Sequence, residues 1–291
     1  LDVPIEPAIS TPMFRREPEW LYGEGIGTSR APLVSLLSSL RALKRVNRLK
    51  KIPFGVLYYA DEGRDCRYSS DVIKKAVAKA KNVIVLRPGN VGDYIVTTRR
   101  GQRVYRVQFE GTPIRLGKAT KRAEVLPWAF DKLESCFELS SKKDRISVAA
   151  IDFNTSHLPM LLPHQVTATL LMSYPDEAVA DEVEQQIRSI LNGKGVSTSV
   201  QILSKRPPMK ERKATTQLAK RIEELASKWE IRFKRESSVW PSVGGLVPPT
   251  AGVVCGMGPV ARNIYTPDES VDRISLIQRT ILLAEFLNEQ A

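Results

Sequence analysis

Hydrophobic positions along the chain change between helical and strand-like spacing, which favours an α/β protein. Leu33, Leu36 and Leu40 recur at helical spacing in the first clear example. Ser29 and Pro32 stand where an N-cap and an early helical proline are expected. The pattern therefore predicts a first helix that begins near residue 30 and buries one leucine face.

The next segments predict a strand, a helix and a second strand. Residues 54–60, FGVLYYA, form a short apolar run rich in aromatic side chains, which is typical of a buried strand. Residues 69–81 then have helical character, and residues 82–87 form another apolar run. Strand, helix and strand in close succession predict a parallel sheet with crossover helices.

The pattern changes near residue 99. Residues 93–98 and 103–110 resemble two extended segments joined by a turn. The elements predicted after them are a helix at 123–137, strands at 146–153 and 165–174, a helix at 177–191 and a strand at 198–203. This β-α-β-β-α-β order is the ferredoxin-like split unit and predicts an inserted α+β domain.

The α/β pattern resumes in the last third of the chain. A helix is predicted at 214–229, an apolar strand at 252–255 and a final helix at 274–288. The predicted fold is thus an α/β domain made of residues 1–100 and 204–291, with a mixed sheet and flanking helices. Residues 101–203 form the predicted insert.

The net charge and the cysteine content exclude few of the possible functions of this protein. The chain has 44 Lys and Arg against 32 Asp and Glu, a formal net charge of +12. Its basic clusters at 41–51 and 205–213 contain few aromatic residues on which bases could stack, so a solvated basic face is expected before nucleic-acid recognition. The three cysteines, Cys66, Cys136 and Cys255, have no CxxC spacing, which favours reduced thiols and a cytoplasmic location.

Targeting and catalytic motifs are sparse. No run reaches the roughly 18 apolar residues of a membrane helix, and the first ten residues lack the pattern of a signal peptide. The two histidines, His157 and His164, form no HExxH or HxH motif. Asp61 and Glu62 end a predicted strand, where open α/β sheets place functional groups, but a solvated acidic turn explains them equally well.

Blocks spread over nearly the whole chain resemble one family. The blocks are LYGEGIGTSRAPLVSLLSSLRAL, VLYYADEG, VIVLRPGN, YRVQFEGTPIRLG, LLPHQVTATLLMSYPDEAVADEVEQQI, KRPPM and GMGPVARNIYTPDESVDRISLIQRTILLAEFL. In this order they resemble the di-zinc exopeptidases and amidohydrolases that include acetylornithine deacetylase, aminoacylase and carboxypeptidase G. The resemblance implies a zinc-exopeptidase-like fold whose insert, residues 101–203, is a ferredoxin-like lid and dimerisation domain.

The positions that match the family's metal ligands carry other side chains. The resemblance places these degenerate metal positions at Thr28, Gly63, Arg87 and Tyr265. It also matches Glu62 to the family's general base, and Arg115 to a lid histidine that assists the transition state. Thr, Gly and Tyr cannot replace the charge of anionic or imidazole ligands, and a guanidinium repels a cation. No metal or other cofactor is therefore expected, and Glu62 would have no zinc-bound water to activate.

The same substitutions suggest an anion pocket. Four arginines match positions near the family's cleft or its substrate carboxylate: Arg87, Arg115, Arg206 and Arg262. A guanidinium binds carboxylate or phosphate well, so a small anionic ligand is one expectation. The alternative is that these arginines are dispersed and solvated.

The sequence thus favours a catalytically inactive, metallopeptidase-like binding or scaffold module that forms a homodimer through residues 101–203. The alternative is a metal-dependent amidohydrolase or exopeptidase with relocated ligands, for which zinc would be the cofactor. Binding driven by charge to nucleic acid or to an anionic surface is a third and less favoured class.

The resemblance also concerns the start of the chain. The family's first ligand, a His two residues before an Asp, would lie just upstream of Asp2, and relatives have a helix and a strand there. We therefore expect that a missing N-terminal segment, or a second chain, completes the sheet. Without it, an apolar face or sheet edge near residues 1–4 and 54–60 is expected to be exposed.

Overall fold

The computed structural model describes residues 14–92, 94–115, 117, 124–193, 195–231 and 233–291. The helices are α1 Ala31–Arg45, α2 Ser70–Val77, α3 Val125–Phe137, α4 Glu177–Leu191, α5 Lys213–Ser227 and α6 Arg273–Asn288. The strands are β1 Arg15–Arg16, β2 Trp20–Tyr22, β3 Asn82–Val85, β4 Tyr94–Arg99, β5 Gly101–Glu110, β6 Ser147–Thr155, β7 Gln165–Tyr174, β8 Ser197–Arg206, β9 Lys234–Ser238, β10 Gly252–Cys255, β11 Ala261–Arg262 and β12 Ser270–Asp272. Together they form a mixed α/β structure with three sheets and six helices among the described residues.

The residues divide into two compact units. The first contains residues 1–98, 209–238 and 242–291, and the second contains residues 99–208 and 239–241. Among the described residues, no helix is both long and apolar enough to span a bilayer.

The first unit contains two four-stranded sheets. One has the strand order β3-β10-β4-β9, with β10 parallel to β3 and antiparallel to β4. The other has the order β1-β2-β12-β11 and is antiparallel. Strand β10 is buried along its whole length, and α5 packs against it through a face that includes Leu218, Ile222 and Leu225. The carboxyl end of β3 leads into the loop that carries Arg87 of the candidate site.

The second unit contains an antiparallel sheet with the strand order β6-β7-β5-β8. Its elements follow the chain order strand, helix, strand, strand, helix, strand. Alternate residues of β7 are buried, including Ala168, Leu170 and Met172, because side chains alternate between the two faces of a strand. Helices α3 and α4 pack on this buried face, so the unit has its own hydrophobic core.

Several local predictions differ from the structure. Residues 54–60 do not form a buried strand: Phe54, Val56, Leu57 and Tyr58 are 38 to 65% exposed. The apolar run alone could not reveal this, because burial of a strand depends on neighbours far away in the chain. The prediction of an exposed apolar face is thus met at 54–60, whereas residues 1–4 lie outside the described residues.

Pairing and helix faces also differ in places. Strands β4 and β5 follow each other but belong to different sheets, so they do not form the predicted turn-linked pair. The predicted N-cap Ser29 lies inside a π-helical turn, Ile26–Arg30, that precedes α1. In α6 the buried face contains Leu282 and Phe286, whereas Ile274 and Ile277 are more than 60% exposed.

Candidate functional site

The candidate site lies in the first unit, in loops that follow β3 and the segment 54–60. Arg87 comes two residues after the end of β3. Glu62 begins a short 3-10 turn, Glu62–Arg64, directly after the segment. Functional groups commonly follow strand ends in open α/β sheets, because the loops at one edge converge there.

Glu62 and Arg87 form a partly buried ion pair. Arg87 Nη1 donates to Glu62 Oε1 at 2.9 Å, and the two side chains are only 16% and 22% exposed. The hydroxyl of Tyr59 donates to the other carboxylate oxygen of Glu62 at 2.8 Å, and Cys66 Sγ lies 3.4 Å from that oxygen. Both oxygens of the carboxylate that matches the family's general base therefore accept hydrogen bonds from the protein itself.

Burial and charge shift the pKa values around this pair in a consistent direction. Burial and then the negative charge of Glu62 raise the pKa of Tyr59 well above its usual range, so its hydroxyl remains a donor. Burial alone would lower the pKa of Arg87, but the carboxylate of Glu62 raises it overall. The guanidinium of Arg87 therefore stays protonated.

A second carboxylate, Glu269, holds two of the degenerate positions. Glu269 is fully buried, and its Oε1 accepts hydrogen bonds from the main-chain N–H of Gly27 and of Thr28, each at 2.7 Å. The same oxygen accepts from the Thr28 hydroxyl at 3.1 Å, and Oε2 accepts from the main-chain N–H of Tyr265 at 3.1 Å. Glu269 thus ties the turn before α1 to the loop after β11.

The two carboxylates belong to one continuous set of contacts. Arg87 Nη2 donates to the hydroxyl of Tyr265 at 3.4 Å, and Tyr265 is bound through its main chain to Glu269. Tyr265 has a φ of 65°, a left-handed conformation that is uncommon for a residue other than glycine. Thr28, Glu62, Arg87 and Tyr265 are therefore joined by these contacts, while Gly63 adjoins Glu62 in the exposed 3-10 turn.

Arg262, in β11, lies in a different environment. Its guanidinium stacks over the ring of Trp20 at 3.8 Å from the centroid. It also donates to the Tyr22 hydroxyl at 2.9 Å and to the Ser270 hydroxyl at 3.1 Å. Arg262 is thus held between aromatic side chains of β2 and the neighbouring strand β12.

The other two predicted arginines belong to the second unit. Arg206 ends β8 and is 3% exposed, and its carbonyl oxygen accepts from the Tyr174 hydroxyl at 3.1 Å. Arg115 is exposed and forms an isolated bridge with Leu161.

Comparison with known proteins gave structural matches only. No protein-family model and no curated protein matched the sequence. A tripeptidase from Staphylococcus aureus subsp. aureus Mu50 superposes with a TM-score of 0.75 over 98% of this chain and 77% of its own, at 14% identity. Aminopeptidase PepT from Bacillus cereus ATCC 10987 gives a TM-score of 0.69 over 95% and 76%, at 15% identity. An amidase of the hydantoinase/carbamoylase family from Burkholderia vietnamiensis gives 0.55 over 72% and 53%, at 15% identity.

The chain shares the fold of these peptidases and amidohydrolases. At such low identity the likeness concerns the fold, and the chemistry has to be argued from the side chains. Within the described ranges, no group of three or more His, Cys, Asp and Glu side chains is arranged to hold a metal ion.

Sequence reasoning missed two residues of the site, Tyr59 and Glu269. Tyr59 lay within the run that was interpreted as a buried strand, so its hydroxyl was not considered as a donor to Glu62. Glu269 follows Pro267 and Asp268 in a stretch that has the composition of a solvated turn. A buried carboxylate that binds main-chain N–H groups leaves no periodic pattern in the sequence.

Proposed function

We propose that this chain is a catalytically inactive relative of the metallopeptidases and acts as a binding or scaffold module. The observation that carries the proposal is the pairing of Glu62 with Arg87 at 2.9 Å and with Tyr59 at 2.8 Å. A general base has to present a free lone pair to the proton that it removes. Here the carboxylate is already neutralised by a guanidinium, a group that keeps its proton in proteins.

The side chains that could bind a metal ion also support the proposal. A catalytic zinc ion needs anionic or imidazole ligands at about 2.0–2.2 Å with an open position. The side chains in contact with Glu62 are instead the Arg87 guanidinium, the Tyr59 phenol and a single thiol, that of Cys66. The Tyr265 phenol accepts from Arg87, and the Thr28 hydroxyl is bound to Glu269. These residues do not fit a di-zinc centre, and no hydrolytic step is derived through one.

The second unit fits the role of a ferredoxin-like lid and dimerisation domain. The antiparallel order β6-β7-β5-β8 with α3 and α4 on one face supports this assignment. Strands β6 and β8 are the edges of this sheet, and an edge can pair with another chain. We infer that a homodimer forms through residues 101–203, which sedimentation of the whole chain would test.

A carboxylate- or phosphate-bearing ligand remains part of the proposal. Arg87 would have to exchange Glu62 for the ligand, whereas Arg206 and Arg115 belong to the second unit. Isothermal titration with amino acids, dipeptides and nucleotides tests it, with Arg87→Glu and Arg206→Ala as variants. Binding that either variant abolishes would support the anion pocket, and no heat with any of these compounds would contradict it.

The central test measures zinc and hydrolysis together. We expect the purified protein to hold zinc far below one ion per chain after dialysis with added zinc, by elemental analysis. We also expect no hydrolysis of tripeptides or N-acetyl amino acids. Two zinc ions per chain, or turnover that a chelator abolishes, would overturn the proposal.

The alternative is a metal-dependent amidohydrolase or exopeptidase with relocated ligands. The fold shared with a tripeptidase and with aminopeptidase PepT favours it. The variant Glu62→Gln separates the two functions, because an enzyme that uses Glu62 as its base would keep its zinc and lose its turnover. The inactive module would have no turnover to lose.

A further inference from the structure

A stretch of the first unit combines exposed apolar side chains with uncompensated positive charge. Residues 41–58, which we call the basic-apolar strip, contain six Lys and Arg and no Asp or Glu. Lys44, Arg45, Lys50 and Lys51 are exposed along it. None of these four forms a salt bridge within the described part of the chain. The strip is therefore a local source of positive potential.

The apolar part of the strip is exposed although its sequence is that of a buried strand. Phe54, Val56, Leu57 and Tyr58 are 38%, 40%, 41% and 65% exposed, with Gly55 exposed between them. An alternating strand would bury every second side chain, so exposure of successive residues means that neither face is covered. Clusters of exposed large apolar residues mark interaction sites in soluble proteins.

The main chain of the same segment is also unpaired among the described residues. Residues 52–59 run without a helix, turn or bend. No main-chain hydrogen bond joins residues 55–60 to any other described residue. Their N–H and C=O groups can therefore form a ladder with an added strand.

Both ends of the segment are fixed. Ile52 is buried at one end. At the other end, the ring of Tyr59 packs against the core cluster that includes Ile73 and Val85, and its hydroxyl binds Glu62. A segment held at both ends loses less conformational entropy when a partner binds than a mobile loop does.

We propose that residues 54–58 bind an extended, acidic and apolar segment of a partner protein by β-strand addition. Main-chain hydrogen bonds would supply the pairing, and alternate apolar side chains of the partner would cover Val56 and Leu57. Acidic residues that flank the partner strand would face Lys50 and Lys51. The proposal uses neither Glu62 nor Arg87 as a contact, so it does not depend on whether the candidate site is catalytic.

Charge and hydrogen bonding select this occupant over others. A second copy of the same strip would bring six cations against six, which opposes association. A nucleic acid would satisfy the cations, but it has no alternating N–H and C=O groups to pair with residues 55–60. A protein strand with acidic residues satisfies the charge, the apolar surface and the main chain together.

The experiment uses the whole chain and a synthetic probe. The probe is a seven-residue peptide in which Glu and Val alternate, with capped ends and a fluorescent label, and the control peptide has Lys in place of Glu. We expect saturable binding of the Glu peptide by fluorescence anisotropy, weakened by added salt, and no binding of the Lys peptide. Amide exchange of residues 55–60 should become slower when the Glu peptide is present.

Matched variants identify the surface. The double variant Lys50→Glu/Lys51→Glu should weaken binding about ten-fold or more, while Lys142→Glu/Lys143→Glu, an equally exposed lysine pair of the second unit, should not. Successive N–H groups of a strand point to opposite edges, so one of Val56→Pro and Leu57→Pro should abolish binding and the other should reduce it less. The exposed Val91→Asp is the control for an apolar change outside the strip.

Three results would overturn the proposal. The first is slow amide exchange of residues 55–60 in the protein alone, which would mean that this chain already covers them. The second is the absence of saturable binding of the Glu peptide. The third is equal binding by Lys50→Glu/Lys51→Glu and the unchanged protein, with both folded by circular dichroism.

Discussion

Two arginines, one in each unit, are withdrawn from solvent by ion pairs, but their partners differ in number and origin. Arg103, in β5, is 1% exposed and donates to three carboxylates of α4 at 2.5 to 2.8 Å: those of Glu177, Asp181 and Glu184. Arg87 donates to one carboxylate, that of Glu62, which comes from a different loop. The first cluster joins a sheet to its own helix, and the second joins the loop after β3 to the 3-10 turn Glu62–Arg64.

Helix geometry explains the Arg103 cluster without any function. Glu177, Asp181 and Glu184 are spaced by four and three residues, so they share one face of α4. Acidic residues near the start of a helix also complement its dipole. The rings of Tyr174 and Tyr105 complete the cluster through hydroxyl donors to Glu177 and Glu184. A buried arginine with several acids is therefore a structural feature here.

The Glu62–Arg87 pair has no such local explanation. Its members are 25 residues apart, and neither belongs to an α-helix or a β-strand. They lie at positions where the family resemblance places a general base and a metal ligand. Burial and ion pairing alone therefore do not identify a site, and the Glu62–Arg87 pair is distinguished by joining two loops that are distant in the sequence.

The largest expected effect is the loss of Arg103. We expect Arg103→Met to lower the free energy of unfolding of the second unit by about 3 kcal/mol, at the low end of the range for a broken buried pair. The reason is that Glu184, whose side chain is 14% exposed, loses the buried one of its two cations and keeps only Arg188, while Asp181 at 60% still reaches water. Amide exchange in β5 and β7 measures the effect. Arg103→Lys keeps the charge and should lower the free energy of unfolding by less. An equal decrease for the two variants would contradict the ion-pair explanation.

A smaller effect is expected when the pair in the first unit is broken. Arg87→Met should cost about 2 kcal/mol, because it leaves the Glu62 carboxylate buried without its cation. Glu62→Gln should cost about 1 kcal/mol, since the amide oxygen still accepts one hydrogen bond. Amide exchange of β3 and β10 provides the measurement.

The double variant Arg87→Met/Glu62→Gln tests whether the two residues act on each other. If they do, the double variant should be more stable than the sum of the single losses predicts, by about 1 kcal/mol. Additive losses would show that the 2.9 Å contact contributes nothing to stability. The same result would remove the main support for an occupied general base.

Much of the fold could be predicted where the pattern is local. Helix α4 and strand β7 have the predicted bounds, because a clear apolar face and a capping residue define them; the Asp176 side chain accepts from Ala178 N–H. Strand pairing between distant segments produces no local pattern of this kind in the sequence. The sequence therefore did not reveal that β4 and β5 belong to different sheets, nor that residues 54–60 lack a partner strand among the described residues.

The candidate site could be predicted in its members but not in its contacts. The family resemblance named Thr28, Glu62, Arg87 and Tyr265, which are distant in sequence. It did not show that the carboxylate of Glu269 holds Thr28 and Tyr265 by their main-chain N–H groups. Contacts to the main chain do not depend on the partner's side chain, so no pattern of residue types reports them.

The smallest expected effect concerns pH and returns to the Arg103 cluster. Burial alone would raise the pKa of Glu184, but hydrogen bonds from Arg188, Tyr105 and Arg103 lower it overall. A pKa that is lower in the folded state stabilises the fold above the ordinary carboxyl pKa, and this stabilisation is lost as the pH falls through the lowered value. The second unit should therefore become less stable as acid protonates Glu184.

Glu184→Gln isolates this contribution. The variant should be less stable than the unchanged protein at neutral pH. The difference should shrink as the pH falls through the lowered pKa of Glu184 in the folded state, because below that pKa the residue is protonated in both the folded and the unfolded chain. Asp181→Asn, at a side chain that is 60% exposed, is the matched control and should change the acid profile less. Amide exchange of β5, measured at a series of pH values from neutral into acid, gives the stability of the second unit as a function of pH. A difference that stays constant with pH would mean that Glu184 acts in the cluster by packing, and that the charge of Arg103 is balanced by Glu177 and Asp181 instead.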